Sequence, residues 1–259
     1  ETDPLRMQAL RVLVVALFEW DRWAEALQVG NELLELAALV DTGYSHRHQW
    51  AVLDLAVALA RRGELDAAEL LARKVSETMP RSDTQYIEVG RARLALARGA
   101  TKEAQQILLG ALECRDGRVI LPALLSELAE LAALQDNREL YERYSPQAQE
   151  LGWRSGARKP LAQAIRGRAL VAIADERWDD ALADVQSAIA RFEELGTTWD
   201  EARTRYVLAD LYRHRNMEGD AELAQIELER AWELFEDVQA PGDLARVRAA
   251  LAGGAVRLA

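Results

Sequence analysis

Apolar and small residues recur along this chain at the 3.6-residue period of helices packed on one side. No run alternates polar and apolar residues between Asn-Gly or Asp-Gly turns as a hairpin would, and the short apolar run Arg11 to Phe18 lies inside a longer helical period. Two stretches show how the helices are joined. In Gly63-Glu64-Leu65-Asp66-Ala67-Ala68 and Gly99-Ala100-Thr101-Lys102-Glu103-Ala104, a glycine stands five residues before an alanine that opens a new apolar stripe, the pattern of a turn between two helices. Ala56 and Ala92 lie twelve residues before those alanines, and Ala111 seven residues after the second. The same offsets fit Ala169, Ala181 and Ala188 and, more loosely, Val14, Ala26 and Leu33. Small side chains there let two helices approach closely, ridge into groove. Trp23 and Trp178 each stand three residues before their alanine, and Pro80 falls where the second helix of its unit should stop.

Six such units can be laid out, with the small position at Ala26, Ala68, Ala104, Tyr141, Ala181 and Ala224 and intervals of 42, 36, 37, 40 and 43 residues. An irregular period near 40 with two helices per unit describes an α-solenoid. The spacing resembles tetratricopeptide repeats stretched beyond their usual length. The expected fold is all-α, an α-solenoid of about six tetratricopeptide-like helix pairs over residues 1–259 as a single domain. The pairs run about 5–40, 46–80, 84–115, 118–152, 160–196 and 200–238, and a capping helix over 242–252 opens after Ala240-Pro241. Two irregularities are expected. Pro146 should kink or split the second helix of the fourth pair, and the segment Gly152 to Pro160 should be a basic loop.

Composition narrows the function. Alanine (46) and leucine (40) make up a third of the chain, which favours helix. Lysine and arginine number 32 against 43 acids, a net charge of −11 that argues against direct nucleic-acid binding. The longest uncharged stretch, Ala104 to Leu112, is half of what a membrane helix needs. One cysteine, Cys114, excludes an internal disulfide, and with no secretory signal a cytoplasmic location is expected. The chain opens Glu1-Thr2-Asp3-Pro4, so it is expected to be a piece of something longer.

No phosphate-binding glycine loop, dinucleotide fingerprint, nucleophile elbow or His-Glu-x-x-His motif is present. His46 and His48, two residues apart, point to different sides of a helix and make a poor metal chelate. No catalytic residue, metal or cofactor is therefore expected. What remains is surface. Counting from the small positions, the first helix of each pair should line a concave groove with Gln8 and Arg11, Trp50, Tyr86 and Arg93, Gln163 and Arg166, and Arg203 and Tyr206. Arginines among aromatics suit an acidic or aromatic-bearing peptide, because a guanidinium can take a carboxylate bidentately and stack on a ring. The same side chains could instead pair with neighbouring helices. The basic stretch 153–168, with Arg154, Arg158, Lys159, Arg166 and Arg168 and no acid, is the rival docking surface.

The C-terminal third carries a closer resemblance. Ala188-Ile189-Ala190-Arg191-Phe192-Glu193-Glu194-Leu195-Gly196, then Trp199, Ala202-Arg203, Ala231-Trp232-Glu233-Leu234-Phe235 and Ala240-Pro241-Gly242-Asp243-Leu244-Ala245-Arg246 are similar to the last repeats of large bacterial regulators. These are the MalT-like and AfsR-like signal-transduction ATPases and the class III cyclases with an ATPase and a repeat tail. That resemblance implies a sensor or docking arm without enzymatic activity of its own. Its partner would be a protein or peptide, or the ATPase and output domains lying outside these residues. A small-molecule effector sensor is the alternative, and an enzyme with its site inside the solenoid groove is the reading from another class.

Overall fold

The computed structural model describes residues 4–39, 48–78, 85–114 and 120–254. Among them the chain forms thirteen α-helices: α1 (Pro4–Glu19), α2 (Trp23–Leu39), α3 (Gln49–Arg61), α4 (Leu65–Thr78), α5 (Gln85–Ala97), α6 (Thr101–Ala111), α7 (Leu121–Leu134), α8 (Arg138–Ser155), α9 (Arg158–Ala174), α10 (Trp178–Leu195), α11 (Thr198–Arg215), α12 (Asp220–Asp237) and α13 (Pro241–Leu251). They are six consecutive pairs and a last single helix, the tetratricopeptide-like α-solenoid arrangement. His46 and Pro80 lie outside the described residues.

Two compact units divide the chain, Glu1–Arg118 and Val119–Ala259. In the first, each odd-numbered helix packs on its own even-numbered partner, and α1, α3 and α5 follow one another as neighbours. The second repeats the scheme, with α7 against α9, α9 against α10, α10 against α11, and α13 closing on α12.

The small positions explain the close packing. Ala26, Ala68, Ala104, Ala181 and Ala224 are all buried, as are Ala56, Ala92, Ala111, Ala169 and Ala188, and Tyr141 fills the equivalent place in the fourth pair. Two glycines leave no room for a side chain. A Cβ on Gly167 of α9 would stand 3.3 Å from the Glu130 Cα of α7, and one on Gly30 of α2 would stand 2.4 Å from Leu55 Cδ1 of α3. Replacing Ala181 by leucine is therefore expected to cost about 1–3 kcal/mol by overpacking, whereas Ala183, exposed on the same helix, should accept leucine. Equal melting temperatures for the two variants would contradict this packing.

Five of the six turns within pairs share one geometry; the sixth, between α11 and α12, has Asn216 and Gly219 left-handed at φ of 49° and 85°. Gly63 and Gly99 have φ of 81° and 77°, and their amides and those of the next residues close the preceding helix with paired bonds, such as Gly63 N to Ala60 O and Glu64 N to Leu59 O. Asp21, Asp136 and Glu176 occupy the same left-handed position with φ of 57°, 52° and 57°, and make the same two bonds. Three of the five turns thus use an acid where the glycine signal is missing.

Both expected irregularities are corrected. Pro146 lies inside α8, which runs unbroken to Ser155. Its ring removes only the bond to the carbonyl of Glu142, and both residues are exposed, so water can satisfy that oxygen. The stretch 152–160 is no loop either. Only Gly156 and Ala157 separate α8 from α9, with Gly156 at φ 68° capping α8.

Candidate functional site

The expected contact residues all lie on odd-numbered helices, five in the first unit and four in the second. In the first unit, Trp50 of α3 and Tyr86 of α5 stack with ring centroids 4.7 Å apart and planes 19° apart. Both are half-buried, and Trp50 packs against the cluster of Val52, Leu53, Val75 and Ile87. They occupy equivalent places, 36 residues apart, as do the small positions Ala56 and Ala92. The Tyr86 hydroxyl donates to Asp54 Oδ2 at 2.9 Å, one turn beyond Trp50 on α3. Arg93 donates to Glu19 of α1 at 3.0 Å, and its guanidinium lies 5.9 Å from the centre of the Phe18 ring. Gln8 is exposed on α1 and Arg11 half-buried. Burial, helped by the Arg11 charge, lowers the pKa of His48.

Asp54 is the centre of this arrangement. Its side chain is fully buried and Oδ1 accepts no hydrogen bond. Burial pushes its carboxyl up to about 7, opposed by the charge of Arg93 and assisted by that of Glu19. The same burial, with the neighbouring carboxylate, holds the Tyr86 hydroxyl well above its ordinary value. The pair is therefore a tyrosine and an aspartic acid that shares its last proton with the solvent near neutrality.

In the second unit the centre is Arg166 of α9, with no exposed surface. Its Nε and Nη2 grip Glu130 of α7 at 2.8 and 3.0 Å, Nη2 also donates to Asp200 Oδ1 of α11 at 3.0 Å, and Nη1 donates to the Asp200 carbonyl and to Thr204 Oγ1 at 3.0 and 3.1 Å. One guanidinium thus ties three successive odd-numbered helices. Burial opposes its charge, but Glu130 and Asp200 outweigh that and keep it firmly protonated. Lys159 pairs with Asp200 at 3.2 Å, and Arg203 with Glu130 at 3.3 Å while stacking 4.6 Å over Trp199. Burial lowers the pKa of Arg203 against the pull of Glu130. Trp199 donates to Asp243 of α13 at 2.9 Å, and Gln163 and Tyr206 are buried beside this network.

The basic stretch is electrically answered as well. Arg154 pairs with Glu150, Arg158 with Glu194 and Arg168 with Asp184, so each of its five cations faces an acid.

Sequence reasoning missed the acids. Asp54 is the single charge between Arg47 and Arg61, and Glu127 and Glu130 are the only charges between Arg118 and Asp136. A lone acid in an apolar helix was the available signal, because such a group must find a partner or stay neutral. Among the described residues no group of three or more histidines, cysteines and acids converges to hold a metal ion, and no helix is long and apolar enough to cross a membrane.

No family model matches the sequence, and no curated protein does. Solved structures do match in shape. The chain is similar to a Rap protein in its crystal structure complexed with Competence and Sporulation Factor, with TM-score 0.68 and 14% identity over 95% of this chain and 72% of that one. It is also similar to the apo form of RapI, with TM-score 0.57 and 11% identity over 95% and 70% of the two chains. At such identities the likeness concerns architecture, and the chain has the tetratricopeptide-like helical-repeat fold of these two proteins.

Proposed function

We propose that this chain is a non-catalytic repeat domain that binds a protein or peptide, and that it serves as the regulatory arm of a bacterial signalling or transcription-regulatory protein. The observation that carries the reading is the Trp50–Tyr86 pair, two stacked, half-buried aromatic side chains from successive repeats, in a fold that a Rap protein uses while complexed with a factor. The arginines first counted toward an acidic ligand spend their charge internally: Arg93 on Glu19, Arg166 on Glu130 and Asp200, Arg203 on Glu130. Recognition therefore rests on aromatic side chains more than on charge, with Gln8 and Arg11 of α1 as further candidate contacts. Rigid rings lose little conformational freedom on binding and favour apolar or aromatic side chains of an extended peptide. The two neighbours named above are Rap proteins, and the kinship with the ATPase regulators rests on the C-terminal residues alone.

A thermal-shift screen of a random peptide library beside a metabolite collection tests the proposal, since ligands of the folded state raise the melting temperature by mass action. Peptides should stabilise the protein, and Trp50→Ala should weaken the best of them about tenfold or more, as hot-spot aromatics do. Stabilisation by metabolites alone would favour the effector-sensor reading instead.

A further inference from the structure

Of the arginines that lean on internal acids, Arg203 of α11 is the least satisfied. Its Nη2 meets Glu130 Oε1 of α7 at 3.3 Å, an oxygen that already accepts from Arg166 Nε at 2.8 Å. Among the described residues its guanidinium makes no hydrogen bond, and Nε and Nη1 meet no acid within ion-pair distance. The other carboxylates around it are committed elsewhere: Asp200 takes Arg166 and Lys159, and Asp243 takes Trp199 and Arg246. Burial and the like charge of Arg166 outweigh Glu130, Asp200 and Asp243 and lower the pKa of Arg203. A mostly buried cation held this weakly is short of counter-charge.

The guanidinium is nonetheless open to a ligand. Its side chain is 16% exposed, and none of its nitrogens is enclosed without a partner, so they meet solvent. One face of the group stacks 4.6 Å over the half-buried Trp199 ring, and its donors point along the edge, away from the stack. Gln163 of α9 is a second group left open. It is 7% exposed, its carboxamide makes no hydrogen bond among the described residues, and neither of its polar atoms is sealed from solvent. Amides buried to this extent are ordinarily paired within the fold. Gln163 and Arg166 lie three residues apart on one face of α9, and Arg166 and Arg203 share Glu130 Oε1, so the two open groups flank the same enclosed guanidinium.

We infer that Arg203, with Gln163 as a second donor and Trp199 as its platform, binds a carboxylate of the protein's ligand. A carboxylate is planar and singly charged, and two of its oxygens match the free edge of a guanidinium. Glu130 and Asp200, both on the far side of Arg203's reach, would repel the second charge of a phosphate. The inference extends the peptide reading to another place on the odd-numbered helices, and rests on that reading only for the source of the carboxylate, a side chain or a C-terminus.

Sodium acetate is the probe, read on the arginine Nε–H resonances of isotopically labelled protein against sodium chloride at equal ionic strength. Acetate should shift the Arg203 signal, identified by its loss in Arg203→Lys, along a saturable curve in the millimolar range, the affinity open to so small an anion. Arg154 and Arg158, exposed and paired at the surface, should show no saturation. Gln163→Leu, which removes a group with no partner in the fold, should weaken the response about two- to tenfold, the worth of one hydrogen bond. No saturation at Arg203, equal saturation at Arg154 and Arg158, indifference to Gln163→Leu, or tighter binding of inorganic phosphate than of acetate would each overturn the inference. The α-amide of N-acetylaspartate and N-acetylalanine then separate the two sources, since the first offers only a side-chain carboxylate and the second only a terminal one. Acetate is read without any peptide, so a peptide screen that finds nothing and an acetate titration that fails are distinct results.

Discussion

Replacing Arg166 by alanine is expected to destabilise the second unit by about 3–5 kcal/mol, the cost typical of removing one member of a buried ion pair. The guanidinium has no exposed surface and makes five hydrogen bonds, to Glu130, Asp200 and Thr204. Truncation would leave Glu130 and Asp200 with less compensation in a place water cannot easily reach, besides the cavity left by the side chain. Arg166→Lys should recover only part of the loss, because a single ammonium cannot grip Glu130 with two nitrogens and reach Thr204 as well. Arg203 supplies the contrast. Its side chain is mostly but not fully buried, its ion pair is a single contact with Glu130 at 3.3 Å, and its stack on Trp199 is worth about 0.5–2 kcal/mol, so Arg203→Ala should cost less. Chemical denaturation of the three variants measures the ranking. An Arg166→Ala protein that unfolds at the wild-type midpoint would remove Arg166 from the scaffold and return it to the list of recognition residues.

Between pH 4 and 7 the protein is expected to lose stability as pH rises, and Asp54→Asn should abolish much of that loss. Asp54 titrates near 7 in the folded chain against an ordinary 3.8. At intermediate pH the unfolded chain has released this proton while the folded one keeps it, so folding takes up a proton and higher pH opposes it. The contribution is complete below about pH 4, declines by about 1.4 kcal/mol per pH unit, and is gone above about pH 7, a span of roughly 4 kcal/mol at most. Glu19 from α1, Arg61 of α3, and Tyr86 and Arg93 from α5 set the value; the two arginines restrain the shift and Glu19 enlarges it. Asparagine is neutral throughout and keeps an oxygen for the Tyr86 hydroxyl. The variant should match wild type near pH 4 and melt higher at pH 8. Parallel pH profiles for the two proteins would show that Asp54 is ionised in the fold at neutral pH and that its buried carboxyl is held by Arg93.

Helix pairing was legible in the sequence because it depends on a local quantity, the size of the side chain where two helices touch. Ala68, Ala104 and Ala181 are small for a steric reason that holds wherever such helices cross, and the buried alanines fall where counting placed them. Turn chemistry was legible only in part. Gly63 and Gly99 announce a left-handed residue, whereas Asp21, Asp136 and Glu176 reach the same φ with no glycine, held there by the helix ends they close. Pro146 misled because the rule against proline in a helix presumes that the freed carbonyl is hard to satisfy, and here it faces water.

The candidate site divides along the same line. Position on the odd-numbered helices follows from the period, so the sequence by itself determined that Trp50 and Tyr86, or Gln163 and Arg166, would share a face. Whether a side chain there meets a ligand or a neighbour depends on acids 36 and 34 residues away, Glu130 and Asp200, that the sequence places nowhere in particular. The tertiary structure alone decided that Arg166 is enclosed and that Asp54, buried beside Tyr86, is held toward its protonated form. Packing period is written locally, but the partner of a charge and the exposure of a surface are properties of what comes to lie beside it.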